Sequence, residues 1–192
     1  MPDSAEVAFN KAVGLDPRLA RENDYALLVA FHRKIMFTQN QIEDLVDLLY
    51  SLDSSTKIYI GTDSVRFKKD GRWFAKYATV CVVHVNGKNG CRVFKHRSIE
   101  ADYDLKKNRP SMRLMNEVMK SCELYTQLAP FIDEFEVEIH LDVNSDPMHG
   151  SNCVASQAAG YVLGVTGVEP KLKPDAFAAS FAGDHYAHNS VQ

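Results

Sequence analysis

The segment Lys57-Ile58-Tyr59-Ile60-Gly61-Thr62-Asp63-Ser64 decides the fold, because it is a short β-rich run that carries a carboxylate near its end. A second run, Glu136-Val137-Glu138-Ile139-His140-Leu141-Asp142-Val143, alternates polar with apolar residues, which is the period of a half-buried strand. Aspartate is disfavoured among the valines, isoleucines and leucines of such a strand. An acid beside a packed core is costly unless a positive charge pairs with it. The two runs therefore predict strand-borne carboxylates that share a cation.

Turn signals between the two runs predict that the first strand begins an antiparallel meander. Asp70-Gly71 is a hairpin signal, so the chain should double back through residues 73–85. Asn86-Gly87 and Asn89-Gly90 mark a second turn, and residues 91–97 should form the next strand. These three strands are predicted to pair in chain order.

Helices are predicted around this meander. Thr38, with Gln41 three residues later, fits a capping box, and Ser111 is predicted to cap the helix that precedes the second acidic strand. A weak strand is expected within residues 167–172, and Pro174 is predicted to open a last helix. Strands followed by alternating helices and strands indicate the α/β fold class.

The composition is that of an ordinary globular protein. Of the 192 residues, 45% are hydrophobic and 24% are charged, which allows one domain with a sizeable core. We assign residues 37–192 to that domain and residues 1–36 to a helical N-terminal extension. The formal net charge of -3 excludes a global basic field but allows a local basic groove.

Cysteine usage and hydropathy indicate a cytoplasmic protein with no membrane partner. The four cysteines form no C-x-x-C pair and match no zinc-site spacing, which favours a reducing compartment. No basic segment followed by an apolar stretch opens the chain, so no secretory signal is expected. No apolar run approaches the roughly 18 residues needed to span a bilayer.

Four acidic residues on different elements are the candidate site: Asp63, Glu117, Asp142 and Asp184. Oxygen ligands converging from several elements would hold Mg²⁺ or Mn²⁺. A pair of such ions can clamp the attacking and leaving oxygens of a phosphodiester displacement. Structural interpretations are also open: Asp63 would brace the turn at Ser64, Glu117 would be solvated, and Asp184 would pair with a lysine.

Basic residues interleaved with aromatic ones predict a nucleic-acid contact surface. The predicted hairpin carries Phe67 and Trp73 among basic residues, although a solvated charged tip is the alternative interpretation. A second basic loop follows the third strand, and Lys171 and Lys173 form another. The residues assigned to nucleic-acid binding are Arg66, Lys68, Lys69, Arg72, Lys106 and Lys107.

Histidines and asparagines near the acids have two interpretations. His140 is a candidate partner of Asp142 or a structural histidine. Asn144 and Asn152 would orient a water or a phosphate, or would form turns. Near the C-terminus, His185 and His188 are candidates for proton transfer close to neutral pH.

An ordered set of motifs resembles the YkuK-type family of the ribonuclease H-like superfamily, over roughly residues 37–188. The motifs are Ile60-Gly61-Thr62-Asp63-Ser64, Arg113-Leu114-Met115-Asn116-Glu117-Val118, His140-Leu141-Asp142-Val143-Asn144, Ser151-Asn152, Gly160-Tyr161-Val162 and Lys173-Pro174.

The resemblance implies a ribonuclease H-like fold, with a five-stranded mixed sheet flanked by helices. It also implies that Asp63, Glu117, Asp142 and Asp184 match the superfamily's first-strand, first-helix, fourth-strand and C-terminal acids, with Asp63 and Asp142 holding the metals most directly.

We therefore expect a metal-dependent nuclease that hydrolyses DNA or RNA by a two-metal carboxylate mechanism. The alternative is a non-catalytic ribonuclease H-like module that binds nucleic acid or protein. A third interpretation is an interaction protein whose N-terminal helices dock a protein partner.

Overall fold

The computed structural model describes residues 36–87, 90–104 and 110–178. Its described part is a five-stranded mixed sheet flanked by helices, in the strand order β3-β2-β1-β4-β5. The strands are β1 (Lys57–Lys69), β2 (Arg72–His84), β3 (Cys91–Ala101), β4 (Glu136–Asn144) and β5 (Lys171–Lys173). The helices are α1 (Gln39–Tyr50), α2 (Ser111–Ile132) and α3 (Ala155–Thr166), with 3₁₀ turns at Val85–Gly87 and Gly150–Val154. The predicted fold class is confirmed.

The antiparallel half of the sheet follows from its turns. Asp70 and Gly71 both have positive φ, at 48° and 79°, which is the backbone that a two-residue hairpin with native twist requires. Lys69 therefore pairs with Arg72, and the register continues to Lys57 opposite His84. β3 then pairs antiparallel with β2, so the predicted three-stranded meander is confirmed.

The parallel half of the sheet is built around β1. β4 pairs parallel with β1 from Lys57 opposite Glu136 to Thr62 opposite Leu141. The pairing stops there, although β1 continues to Lys69 in its ladder with β2. One edge of β1 is therefore without a β4 partner beyond Thr62.

Two apolar clusters hold the helices on the sheet. The first joins α1, α2 and the sheet, with buried residues that include Leu45, Leu124, Leu128, Ile58 and Ile60. The second joins α2 and α3 to β4, with residues that include Leu114, Val118, Ile139, Leu141 and Val162. Each buried side chain of this size contributes about 1.5–3 kcal/mol relative to an exposed one, so these contacts fix α2 against β1 and β4.

The helix starts show which predicted caps are correct. The capping box of Thr38 and Gln41 at α1 is present. Ser111, however, is the first residue of α2 and does not cap it. The cap is the carboxylate of Asp104, which accepts from the backbone N–H groups of Met112 (3.0 Å) and Arg113 (2.8 Å). Because Asp104 is seven residues before Ser111 in the chain, a reading of adjacent residues does not reveal this cap.

The C-terminal part differs from prediction at Pro174. Pro174 lies in a turn after a cis peptide bond, and the backbone N–H groups of Asp175 and Ala176 both donate to Leu172 O. The helix therefore does not start at this proline. Residues 1–35 of the predicted N-terminal extension, and the part of the predicted last helix beyond residue 178, lie outside the described residues. Among the described helices, none has the length and apolarity needed to cross a membrane.

Asp104→Ala should lower the free energy of unfolding by about 1–2 kcal/mol, because two N–H groups at the start of α2 lose their acceptor. Urea denaturation measures the change. Asp133→Ala, at the exposed end of the same helix, is the control and should stay within about 0.5 kcal/mol of the wild type. An Asp104→Ala protein as stable as the control would show that the cap contributes nothing.

Candidate functional site

The acids Asp63 and Asp142 lie at the point where β1 and β4 separate. Thr62 and Leu141 are the last paired residues of the two strands, and each acid is the next residue of its strand. Residues at equivalent positions of adjacent parallel strands project to the same face of a sheet. The register therefore places the two acids side by side on one face, as expected for neighbouring parallel strands.

Asp142 lies in an irregular stretch of β4. On its other side β4 pairs with β5 through His140 opposite Lys171 and Asn144 opposite Lys173, and the register shifts between these pairs. An irregularity of this kind redirects side chains and is frequent beside active sites. Here it brings Lys173 Nζ into an ion pair with Asp142 Oδ1.

Asp63 is nearly enclosed, with only 8% of the residue exposed. Its Oδ1 accepts from the backbone N–H of Ser64 at 2.7 Å. The interpretation of Asp63 as a brace for a turn at Ser64 is wrong, because β1 continues through Ser64 to Lys69. The register sets Asp63 beside Asp142 instead.

Glu117 is buried on α2, with 3% exposed, which excludes the interpretation of a solvated flank residue. Its Oε1 accepts from Ser64 Oγ at 2.5 Å and from Arg113 Nη1 at 3.1 Å. Arg113 Nη1 also donates to Ser64 O (3.0 Å) and Ser64 Oγ (2.6 Å). One arginine and one serine thus fix the glutamate against the middle of β1, next to Asp63.

The electrostatics of Glu117 connect it to both strand acids. Burial raises the pKa of Glu117 well above its ordinary value, and the charge of Asp63 is the next largest cause. Arg113 and the Ser64 hydrogen bond lower that pKa, and Asp142 raises it. The three carboxylates therefore share one electrostatic environment that favours a proton or a cation.

A divalent cation fits the chemical type of these donors, since Asp63, Glu117 and Asp142 offer the oxygen ligands that Mg²⁺ and Mn²⁺ prefer. As the side chains stand, no three His, Cys, Asp or Glu residues of the described ranges are grouped closely enough to hold an ion. The ion pairs explain this arrangement, because Glu117 is turned to Arg113 and Asp142 to Lys173. Asp184, the fourth predicted ligand, lies outside the described residues.

His140 and the two asparagines have structural partners. Burial lowers the pKa of His140, whose Nδ1 accepts from the Ala178 N–H (3.0 Å) and whose Nε2 lies 2.9 Å from Glu138. Asn144 Oδ1 accepts from the Asp146 N–H, and Asn152 Nδ2 donates to the carbonyls of Asn144 and Ser145. These asparagines therefore shape the loop after β4. His185 and His188 lie outside the described residues.

The basic hairpin divides into an anchored arginine and an exposed tip. Arg66 Nε lies 2.6 Å from Asp102 Oδ2, its Nη2 donates to Asp104 O (2.7 Å), and its guanidinium stacks on Trp73 at 4.3 Å from the ring centroid. Arg66 thus supports the loop that caps α2. The exposed basic residues of the hairpin are Lys68, Lys69 and Arg72, whereas Lys106 and Lys107 lie outside the described residues.

Two residues of the site, Ser64 and Arg113, have no role assigned from the sequence, and Lys173 is assigned only to a basic segment. The spacing of Arg113 and Glu117, four residues apart on a helix, is the sequence signal for their ion pair. Lys173 was recognised only as part of a basic segment, since its pairing with Asp142 depends on the β4–β5 register.

A known protein family matches most of this chain. The family model described as Ribonuclease H-like matches residues 39–188, which is most of the chain and includes all four predicted acids. No curated protein and no solved structure matches the chain.

Glu117→Gln should remove a pH-dependent loss of stability. Because the pKa of Glu117 is raised in the folded state, the unfolded chain releases this proton first. The wild-type free energy of unfolding should therefore fall as the pH rises from about 4.3, the ordinary glutamate value, to the raised pKa. Urea denaturation at about pH 5 and about pH 8 should show a smaller fall in the variant. Glu134→Gln, at an exposed position, is the control; equal falls in all three proteins would contradict the prediction.

Proposed function

The chain belongs to the ribonuclease H-like family, and on that premise we propose that it is a metal-dependent nuclease that hydrolyses nucleic-acid phosphodiester bonds. The observation that supports the proposal best is the register that sets Asp63 beside Asp142 where β1 and β4 separate. The charges of both acids reach Glu117 on α2, so three carboxylates lie in one environment. Such a concentration of negative charge suits a divalent cation.

In this proposal Asp63, Glu117 and Asp142 hold Mg²⁺ or Mn²⁺, and Asp184 is the proposed fourth ligand. When bound, such ions stabilise the charge on the attacking and leaving oxygens of an in-line displacement. Asp63 and Asp142 are positioned by the backbone of two strands, which gives them little freedom. Ser64 and Arg113 orient Glu117 and keep its carboxylate beside Ser64, in the middle of β1.

The α2 helix joins the site to the basic hairpin. Asp104 caps the turn of α2 that carries Arg113, and Arg66 of β1 binds the Asp104 carbonyl. Arg66 in turn stacks on Trp73 of β2. We propose that the exposed tip beyond this anchor, with Lys68, Lys69 and Arg72, contacts the phosphates of the nucleic acid, DNA or RNA.

A second candidate function is a non-catalytic module of the same fold that binds nucleic acid or protein. The observation that favours it is the pairing of Glu117 with Arg113 and of Asp142 with Lys173. These ion pairs already compensate the charges of Glu117 and Asp142 without a metal. This candidate predicts binding without turnover, so an activity assay separates the two functions.

Asp63→Asn and Asp142→Asn should each abolish Mn²⁺-dependent cleavage while the protein stays folded. Asparagine keeps the shape of each side chain and removes the negative charge that a cation needs. Cleavage is measured on a panel of labelled single- and double-stranded DNA and RNA, with Mn²⁺, with Mg²⁺ and with EDTA. A loss of at least about 100-fold is expected for each variant, equivalent to about 2.7 kcal/mol of transition-state stabilisation.

Asp44→Asn, at an exposed position of α1, is the matched control and should cleave like the wild type. Circular dichroism and urea denaturation report the fold of each protein. Absence of cleavage by the wild type on every substrate and with either metal would refute the nuclease proposal. Salt-dependent binding in that case would favour the non-catalytic module.

Charge removal at the hairpin tip should reduce the salt dependence of nucleic-acid binding. The triple variant Lys68→Gln/Lys69→Gln/Arg72→Gln removes three positive charges from one end of the sheet. If each contacts a phosphate of a DNA duplex, the slope of log K against log salt should fall by about 2–3, measured by fluorescence anisotropy.

The control for this variant removes the same charge elsewhere. Arg92→Gln/Lys95→Gln/Arg97→Gln changes exposed residues of β3, the edge strand on the opposite side of β2 from β1. An equal decrease of the slope in both triple variants would show that binding depends on overall charge and not on the hairpin.

A further inference from the structure

The ammonium of Lys173 already contacts one carboxylate of the proposed site. Its Nζ forms an ion pair with Asp142 Oδ1, and Asp142 is the acid that the register places beside Asp63. The Lys173 side chain is 38% exposed and that of Asp142 is 22% exposed. The pair is therefore partly open to solvent, where an ammonium can be exchanged for another cation.

Hydrogen bonds fix the backbone around Lys173 but not its ammonium. Lys173 is the last residue of β5 and pairs with Asn144 across the register shift of β4. Its carbonyl accepts from Ser145 Oγ at 3.3 Å, and the next turn is closed by two hydrogen bonds to Leu172 O. These bonds fix the main chain, and the flexible stem of the lysine leaves the Nζ able to move.

A cavity adjoins the ion pair on the side of β5. Its volume is about 340 Å³, and its lining includes Ser145, Glu169, Lys173 and Asp175. Two carboxylates of this lining, Glu169 and Asp175, are alternative neighbours for a displaced ammonium. Lys173 can therefore leave Asp142 without entering an apolar environment.

We propose that Lys173 is the resident counter-ion of Asp142 and that a divalent cation binds at this site by displacing the Lys173 ammonium toward the adjoining cavity. This inference rests on the proposed function, and it accounts for the absence of a ready-made group of three ligands among the described residues. Lys173 acts here as a positioning residue. It holds the Asp142 carboxylate beside Asp63 and competes with the metal for that carboxylate.

The competition predicts that removal of the lysine charge tightens metal binding. Isothermal titration calorimetry with Mn²⁺ alone, without nucleic acid, measures the affinity. Lys173→Met keeps the length of the side chain and removes the charge, and should bind Mn²⁺ about fivefold more tightly than the wild type, since a partly exposed ion pair is lost. Lys173→Arg restores a cation and should bind at or below the wild-type affinity.

Lys171→Met is the matched control, because Lys171 lies on the same strand and its loss changes the net charge equally. It should leave the affinity within about twofold of the wild type. Equal tightening in Lys171→Met and Lys173→Met would overturn the inference, because general charge would explain both.

The outcomes separate this inference from the proposed function. Mn²⁺ binding that is the same in wild type, Lys173→Met and Lys173→Arg would overturn the counter-ion role and leave the metal-dependent nuclease standing. No Mn²⁺ binding by any of the proteins would refute the metal site itself and the inference with it. Binding by Lys173→Met alone would support the inference, because the lysine would then fully exclude the ion.

Discussion

The separation of β1 from β4 after Thr62 and Leu141 is the constraint on which the site depends. β1 continues beyond this point because β2 still pairs with it, whereas β4 turns away into the loop that follows Asn144. A gap therefore opens between β1 and β4 inside the sheet, with Asp63 on one side and Asp142 on the other. Carboxylates at an interior position would otherwise need a partner in the neighbouring strand, so the open edge makes their placement tolerable.

The second requirement is that the buried glutamate of α2 reaches the same edge. Glu117 carries a large desolvation cost, which Arg113 and Ser64 offset in part. Arg113 is itself located at the first turn of α2, whose N–H groups are capped by Asp104. Arg66 anchors the loop that carries Asp104. A continuous set of charged contacts thus runs from Arg66 on the hairpin to Glu117 at the site. These contacts fix the position of α2 relative to β1 more closely than apolar packing alone would.

The sequence predicted the features that depend on near neighbours. The strand β4, the Asp70-Gly71 hairpin and the capping box at Thr38 all rest on spacings of a few residues, and each is present. The predicted burial of alternate residues in β4 is interrupted at His140, which is buried like its neighbours Ile139 and Leu141. The cap of α2 was misassigned to Ser111, because a carboxylate seven residues earlier in the chain provides it.

Prediction of the site from the sequence has the same limit. The strand positions of Asp63 and Asp142 follow from pattern, and their proximity follows once the strands are parallel neighbours. The pairing of Lys173 with Asp142 depends on a register shift between two strands that are far apart in sequence, and no local pattern encodes such a shift. The register between distant strands depends on the whole sheet. The residues that pair with the acids can therefore be identified only from the folded structure.

The position of Trp73 has an optical consequence. The chain contains a single tryptophan, and 44% of it is exposed on the hairpin, beneath the guanidinium of Arg66. The fluorescence of its indole therefore reports mainly on the basic hairpin and little on the apolar core. If an oligonucleotide contacts the basic hairpin, its addition should quench the tryptophan fluorescence or shift the emission maximum, so no attached dye is needed.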